Sequence, residues 1–263
     1  MNPLRIFLFL LVLAAGGAGY FTGKKQDPAP VAGNGPEIFP LTEYKSFAIV
    51  VYACNQAAWC ERALKSIFEQ DYDHYRVVFI DDASNDGTYE KTRDFIVESH
   101  EERRAILIRN EVRLGPVGSL YRAISGCLDR EIAIPLDAKD WLAHPSVLTE
   151  INAAYQNPDV WFASGQAVQY PSYAKMDASA ECAPCSFYSG LMKQIQLEDL
   201  TLENHFALSK KAYLIPLRQL AGKRTALLQK PIAFDNAATC LKEGEEPDRF
   251  VSYAPLAEFP RPQ

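Results

Sequence analysis

The sequence is short of positive charge. Its 263 residues carry 27 Lys and Arg against 33 Asp and Glu, a formal net charge of −6. A nucleic-acid binder needs a basic face to neutralise phosphates, so the balance argues against that class of partner. The densest basic stretch, SKKAYLIPLRQLAGKR (209–224), reads as an ordinary solvated helix face. Histidine is also scarce, with four in the chain. No ordered His pair and no second Cys-x-x-Cys accompany CAPC (182–185), so that motif lacks the partners of a zinc site. It also lies too late in the chain for a thioredoxin-type redox pair, leaving a local disulfide of an exported domain or two plain thiols. Cys54, Cys60 and Cys127 fall in apolar contexts and read as small buried hydrophobes. There is no internal repeat, and therefore no solenoid.

Long apolar runs are absent, with one exception at the N-terminus. Arg5 precedes an uncharged run from Ile6 to Gly23, and Lys24 and Lys25 follow. A membrane-spanning helix needs roughly 17–25 such residues. Tyr20 and Phe21 prolong the run where interfacial aromatics belong, which favours an uncleaved single-pass anchor in residues 1–23. A cleaved signal peptide stays open, because the small residues from Ala15 to Ala18 resemble a cleavage region. That reading would make the protein secreted or periplasmic. Basic residues on the two sides balance, so the side of the membrane is undecided. Residues 24–45, rich in Pro and Gly, read as a stalk.

What remains is a well-filled domain, expected over 46–235, with a tail over 236–263. FAIVVYA (47–53), YRVVFI (75–80), AILIRN (105–110), EIAIPL (131–136) and VWFASGQAVQY (160–170) read as strands. Helical stripes separate them, as in AAWCERALKSIFEQ (57–70) and YEKTRDFIVES (89–99). Alternation of this kind implies an α/β fold with a mostly parallel central sheet flanked by helices. Ligands of such sheets bind at the carboxyl ends of the strands. Asp81 and Asp82 close the second strand and Asp137 closes the fourth, so the fold is expected to bring them to one edge.

Three segments in order carry a resemblance: the run ending VVFIDDASNDGT, then IRNEVRLGP, then IPLDAKDWL. Together they resemble the family 2 glycosyltransferases of GT-A fold, over about Phe47 to Gln169 and more weakly to Gly222. The resemblance implies transfer of a sugar, with inversion, from a nucleotide-sugar donor to an acceptor. A UDP-sugar is the expected donor, and the acceptor is unknown. It also implies that Asp82, with Asp81 beside it, contacts the base and that Asp137 lies near the ribose. In this family an Asp-x-Asp pair holds Mn2+ or Mg2+, which offsets charge on the leaving diphosphate.

The chain departs from the family at several positions. The second Asp of the pair falls on Lys139, and an ammonium cannot ligate a metal. Asp140 is adjacent, so Asp137 with Asp140 is the one residual acidic pair. The aromatic and hydroxyl contacts expected before the strand-one Asn fall on Ala53 and Cys54. The catalytic base of the family sits in an acidic pair upstream of the glycine ending the late helix; counting back from Gly222 reaches Lys210 or Lys211. Glu198 and Asp199, in LEDL (197–200), offer a substitute, with Asp199 the candidate base. Two functions stay open: a working transferase, or a degenerate domain that keeps the fold as a nucleotide- or sugar-binding module. Trp141 and Leu142 read as core, Asp86 and Gly87 as turn formers, and His144 as a cap or surface residue.

Overall fold

Strand β1 (Phe47–Ala53) is buried at all seven positions, as an unbroken apolar run requires when both faces of a sheet are covered. In the computed structural model, which describes residues 43–176, 184–202 and 205–237, it is an interior strand of a curled, mixed sheet. Helix α1 (Cys60–Phe68) buries Cys60, Ala63, Leu64 and Ile67, the stripe its spacing predicts. There follow β2 (Tyr75–Asp81), α2 (Thr88–Glu98), β3 (Ala105–Arg109), α3 (Gly115–Ser125), β4 (Ile132–Asp137) and β5 (Trp141–Leu142). Helix α4 (Val147–Ala154), β6 (Phe162–Tyr170), β7 (Lys175–Met176), β8 (Cys185–Tyr188) and α5 (Ser189–Met192) come next. After a 3-10 turn (Leu197–Leu200), the chain runs through β9 (Thr201–Leu202), β10 (His205–Phe206), α6 (Lys211–Ala221) and β11 (Thr225–Asn236).

The strand order is β3-β2-β1-β4-β8-β6-β11-β5, with β7 on β6 and a separate β9–β10 pair. The first four strands are parallel, as expected. The expectation of a mostly parallel sheet is corrected beyond them. Strand β8 lies antiparallel between β4 and β6, β7 is antiparallel to β6, and β5 is antiparallel to β11. A parallel neighbour needs a crossover, usually a helix. PSYAKMDASAECAP, between β6 and β8, carries Pro171 and Pro184 and no helical apolar stripe, so β8 returns antiparallel beside β6. Strand β11 carries no regular alternation, since Pro231 falls at a break in its register with β6.

Helix α3 begins at Gly115, with φ of +74° and Pro116 in the first turn, two residues before the apolar stripe at Val117. Trp141 and Leu142 are buried, in line with a core role. Residues 1–42 of the expected anchor and stalk, together with Cys182 and Cys240, lie outside the described residues. The last stalk residues, 43–45, are held to the domain by Glu43 N–H on Gln156 and Lys45 N–H on Asn152. Among the described residues, no helix is long and apolar enough to cross a membrane.

Candidate active site

Register decides which side chains meet. Ala53 pairs with Asp81 across β1 and β2, and Tyr52 pairs with Asp137 across β1 and β4. The acidic ends of β2 and β4 therefore share one edge of the sheet, separated by β1 alone. Two strand spacings put them roughly 10 Å apart.

On the β2 side the acids are engaged by the protein itself. Asp82 is buried, and its carboxylate accepts hydrogen bonds from Asn110 Nδ2 (2.7 Å), Leu114 N–H (2.8 Å) and Gly115 N–H (2.8 Å). It thus closes the start of α3, where a carboxylate complements orphan N–H groups and the helix dipole. Asn110 in turn accepts from Arg122. Asp81 is fully buried; its Oδ2 accepts from Ser84 N–H at 3.3 Å and faces Arg109 Nε at 3.4 Å. Asp81 Oδ1 accepts no hydrogen bond among the described residues. Asn55 takes φ of +56°, which asparagine tolerates, and ties the β1 turn to Ser84 and Asn85. Asp86 caps α2, accepting from Thr88 N–H, and accepts from Ala57 N–H, so the turn reading of the DG pair is met. Cys54 is half-buried, and burial raises its thiol although the nearby Arg113 opposes the shift.

On the β4 side a cleft of about 600 Å³, counting space open to solvent, runs over the strand end. Tyr52, Asp137, Asp140, Lys210, Tyr213 and Asp235 are its polar lining. Lys210 stands immediately before α6, and its Nζ lies 5.6 Å from the centroid of the Tyr52 ring. Burial would lower the lysine's pKa, but Tyr52, Asp137 and Asp140 together push it well above the ordinary range. The side chain is held as an ammonium. Asp140 is buried, and its Oδ1 accepts from Asn236 N–H at 2.9 Å. Burial, aided by repulsion from Asp137, pushes its carboxyl up to about 7, against the pull of Lys210, the Asn236 N–H and Lys139.

Lys139 has a different setting. Its backbone N–H donates to Asp137 Oδ1 (3.1 Å), and its Nζ lies 4.0 Å from Asp235 Oδ1. It is not among the residues lining the cleft. The lysine that lines the cleft with Asp137 and Asp140 is thus Lys210, one of the two residues that the count back from Gly222 reaches. Lys211 begins α6 with its N–H on Ser209 Oγ. Asp199 lies in the 3-10 turn, outside the cleft lining, and Glu198 beside it is exposed. Cys185 faces the cleft as a free, buried thiol whose pKa burial pushes up to about 12.

Tyr52, Tyr213, Phe234 and Asp235 were not legible as site residues. Tyr52 is hidden inside an apolar strand run, and Phe234 and Asp235 belong to β11, which lacks strand alternation. The signal available was the parallel register itself, which puts Tyr52 beside Asp137 once β1 and β4 are taken as neighbours.

A divalent ion does not fit the side chains present. Among the described residues there is no group of three or more His, Cys, Asp or Glu able to hold one. The two carboxylates nearest that role face an ammonium, a donor without a lone pair, and one oxygen of Asp140 is committed to Asn236.

A curled, mixed α/β sheet flanked by helices, with acidic residues at the ends of β2 and β4 on one edge, defines a GT-A-like fold. Residues 48–215 match the model of glycosyl transferase family 2, and the chain belongs to that family. It is 27% identical over 135 residues to an uncharacterized glycosyltransferase of Haemophilus influenzae, covering 51% of this chain and 38% of that protein. Among solved structures, Staphylococcus aureus TarS 1–349 in complex with UDP-GlcNAc superposes with a TM-score of 0.60 at 16% identity, covering 76% of this chain and 60% of that one. The mannosyltransferase PcManGT of Pyrobaculum calidifontis, in complex with GDP-Man and Mn2+, superposes with a TM-score of 0.55 at 20% identity, covering 76% and 59%. The chain thus spans about two fifths of the curated relative and three fifths of these structures.

Proposed function

We propose that the protein transfers a sugar, with inversion, from a nucleoside-diphosphate donor, a UDP-sugar first, to an acceptor of unknown class. The observation that carries this reading is the shared edge: Asp81 and Asp82 lie one strand away from Asp137, and the cleft opens beside Asp137. Membership of the family and the nucleotide-sugars bound by its structural neighbours support the donor class. In the proposal the base meets Asp81 and Asp82, the ribose meets Asp137, and the diphosphate extends into the cleft. The acceptor hydroxyl needs a proton acceptor, for which Asp199 is the candidate from the sequence. Turnover is expected to be slow, because Lys210 at the family's base position is an ammonium and accepts no proton near neutral pH.

The proposal extends to localisation: Ile6–Gly23 anchors the protein and the stalk carries the domain, on a side of the membrane still undecided.

A panel of nucleotide-sugars, assayed for transfer and donor hydrolysis with and without manganese, tests the reading. Release of UDP from at least one UDP-sugar is expected. Neither release nor binding with any donor overturns it. Binding without release marks the degenerate binding module instead.

A further inference from the structure

We propose that Lys210, rather than Lys139 or a divalent ion, supplies the positive charge that holds the donor's diphosphate. The inference rests on the nucleotide-sugar reading above and names the group that reads the phosphates.

Position comes first. Lys210 precedes α6 and lines the cleft together with Asp137, the residue at the β4 strand end where the diphosphate emerges in that reading. Lys139 is two residues from Asp137 in sequence, but its ammonium points toward Asp235 and lies off the cleft lining. Sequence order would favour Lys139 as the metal's stand-in; the tertiary fold instead brings Lys210, just before α6, into the cleft beside Asp137.

Charge comes next. Among the described residues, the carboxylates lining the cleft are Asp137, Asp140 and Asp235, and the cation lining it is Lys210. A diphosphate entering beside those acids meets repulsion unless a cation lies between. Lys210 meets that need without a metal. Its ammonium carries three donors on a compact charge, which suits phosphate oxygens. The Tyr52 ring, 5.6 Å away, backs the ammonium from the β1 side and takes none of the carboxylates' role. Asp137 and Asp140, which line the same cleft, also favour the charged form of Lys210.

The test uses the full-length chain, purified in detergent and treated with EDTA, and measures uridine 5′-diphosphate, guanosine 5′-diphosphate and uridine by calorimetry. The expected result is diphosphate binding that survives the chelator and weakens at least tenfold in Lys210→Gln. Lys139→Gln is expected to lose less than Lys210→Gln, and Lys210→Arg to keep most of the affinity. Uridine, lacking phosphates, should bind wild type and Lys210→Gln alike if it binds measurably. Binding that needs Mn2+ and vanishes in EDTA overturns the inference while leaving the transferase reading intact. So does an equal or larger loss at Lys139. Absence of any nucleotide binding by the wild type, with and without Mn2+, instead overturns the underlying reading. Circular dichroism of each variant separates lost binding from lost folding, and the salt dependence of wild-type binding provides a readout free of substitution. Affinity unchanged between low and high salt overturns the charge assignment.

Discussion

Asp82 and Asp140 show how one residue type takes opposite roles a few ångströms of environment apart. Asp82 is surrounded by three N–H donors, two of them backbone groups at the start of α3. Removing its carboxylate strands those donors, and leaving buried polar groups unpaired costs about 1–3 kcal/mol each. Asp82→Ala is therefore expected to lower unfolding free energy by about 3 kcal/mol in urea titrations and to weaken uridine diphosphate binding as α3 frays. Unchanged stability would reduce it to a ligand contact. Asp140 is a buried acid whose carboxyl burial pushes up to about 7, against 3.8 in the unfolded chain. The folded state therefore binds the extra proton between those values. Stability contributed by this site is present below pH 4 and is lost as pH rises through 7, amounting to a few kcal/mol. Asp140→Asn keeps an oxygen for the Asn236 N–H and removes the titration. Relative to wild type, the variant should gain stability at pH 8 over what it shows at pH 5. Parallel melting temperatures at both values would contradict this.

At the scale of elements, the site depends on helices held close to strand ends and to one another. Helix α3 approaches the β9–β10 pair through Gly118. A Cβ there would meet Phe206 Cδ2 at 2.6 Å and Leu114 Cβ at 2.7 Å, inside normal contact distances. Gly118→Ala should therefore destabilise the protein by about 1–3 kcal/mol despite alanine's better helix propensity, read as a lower urea midpoint. A gain in stability would mean that the hairpin moves aside freely. Strand β11 is the element that completes the cleft, because Asn236 holds Asp140 and Asp235 faces Lys139. It was the hardest to read from sequence. Its exposure follows no period of two, and Pro231 interrupts its register with β6. By contrast β1, β2 and β4 were plain, because strands covered on both faces must be continuous apolar runs.

At the scale of the whole molecule, the N-terminal apolar run is the proposed anchor, and residues 48–215 match the glycosyl transferase family 2 domain. Full-length mass is expected for protein extracted from membranes, with Ile6–Gly23 retained. Intact-mass spectrometry checks this, and a chain beginning near Gly19 would indicate secretion after cleavage.

The amino-acid sequence by itself determined the four parallel strands, the acids at their ends and the family, since apolar runs and turn residues are local signals. By resemblance, it also led to the expectation that lysines stand at the family's metal-ligand and base positions. Which lysine faces Asp137 was decided only in three dimensions. Residues 137 and 139 are neighbours in the chain, yet Lys139 turns to Asp235, whereas Lys210 arrives on α6 from more than seventy residues away. A side chain's partners are set by the packing of the element that carries it, and spacing along the chain does not encode that for residues so far apart. The antiparallel insertion of β8, the partnering of β5 with β11 and the elevated pKa of Asp140 arise in the same way, from contacts that exist only once the sheet has closed.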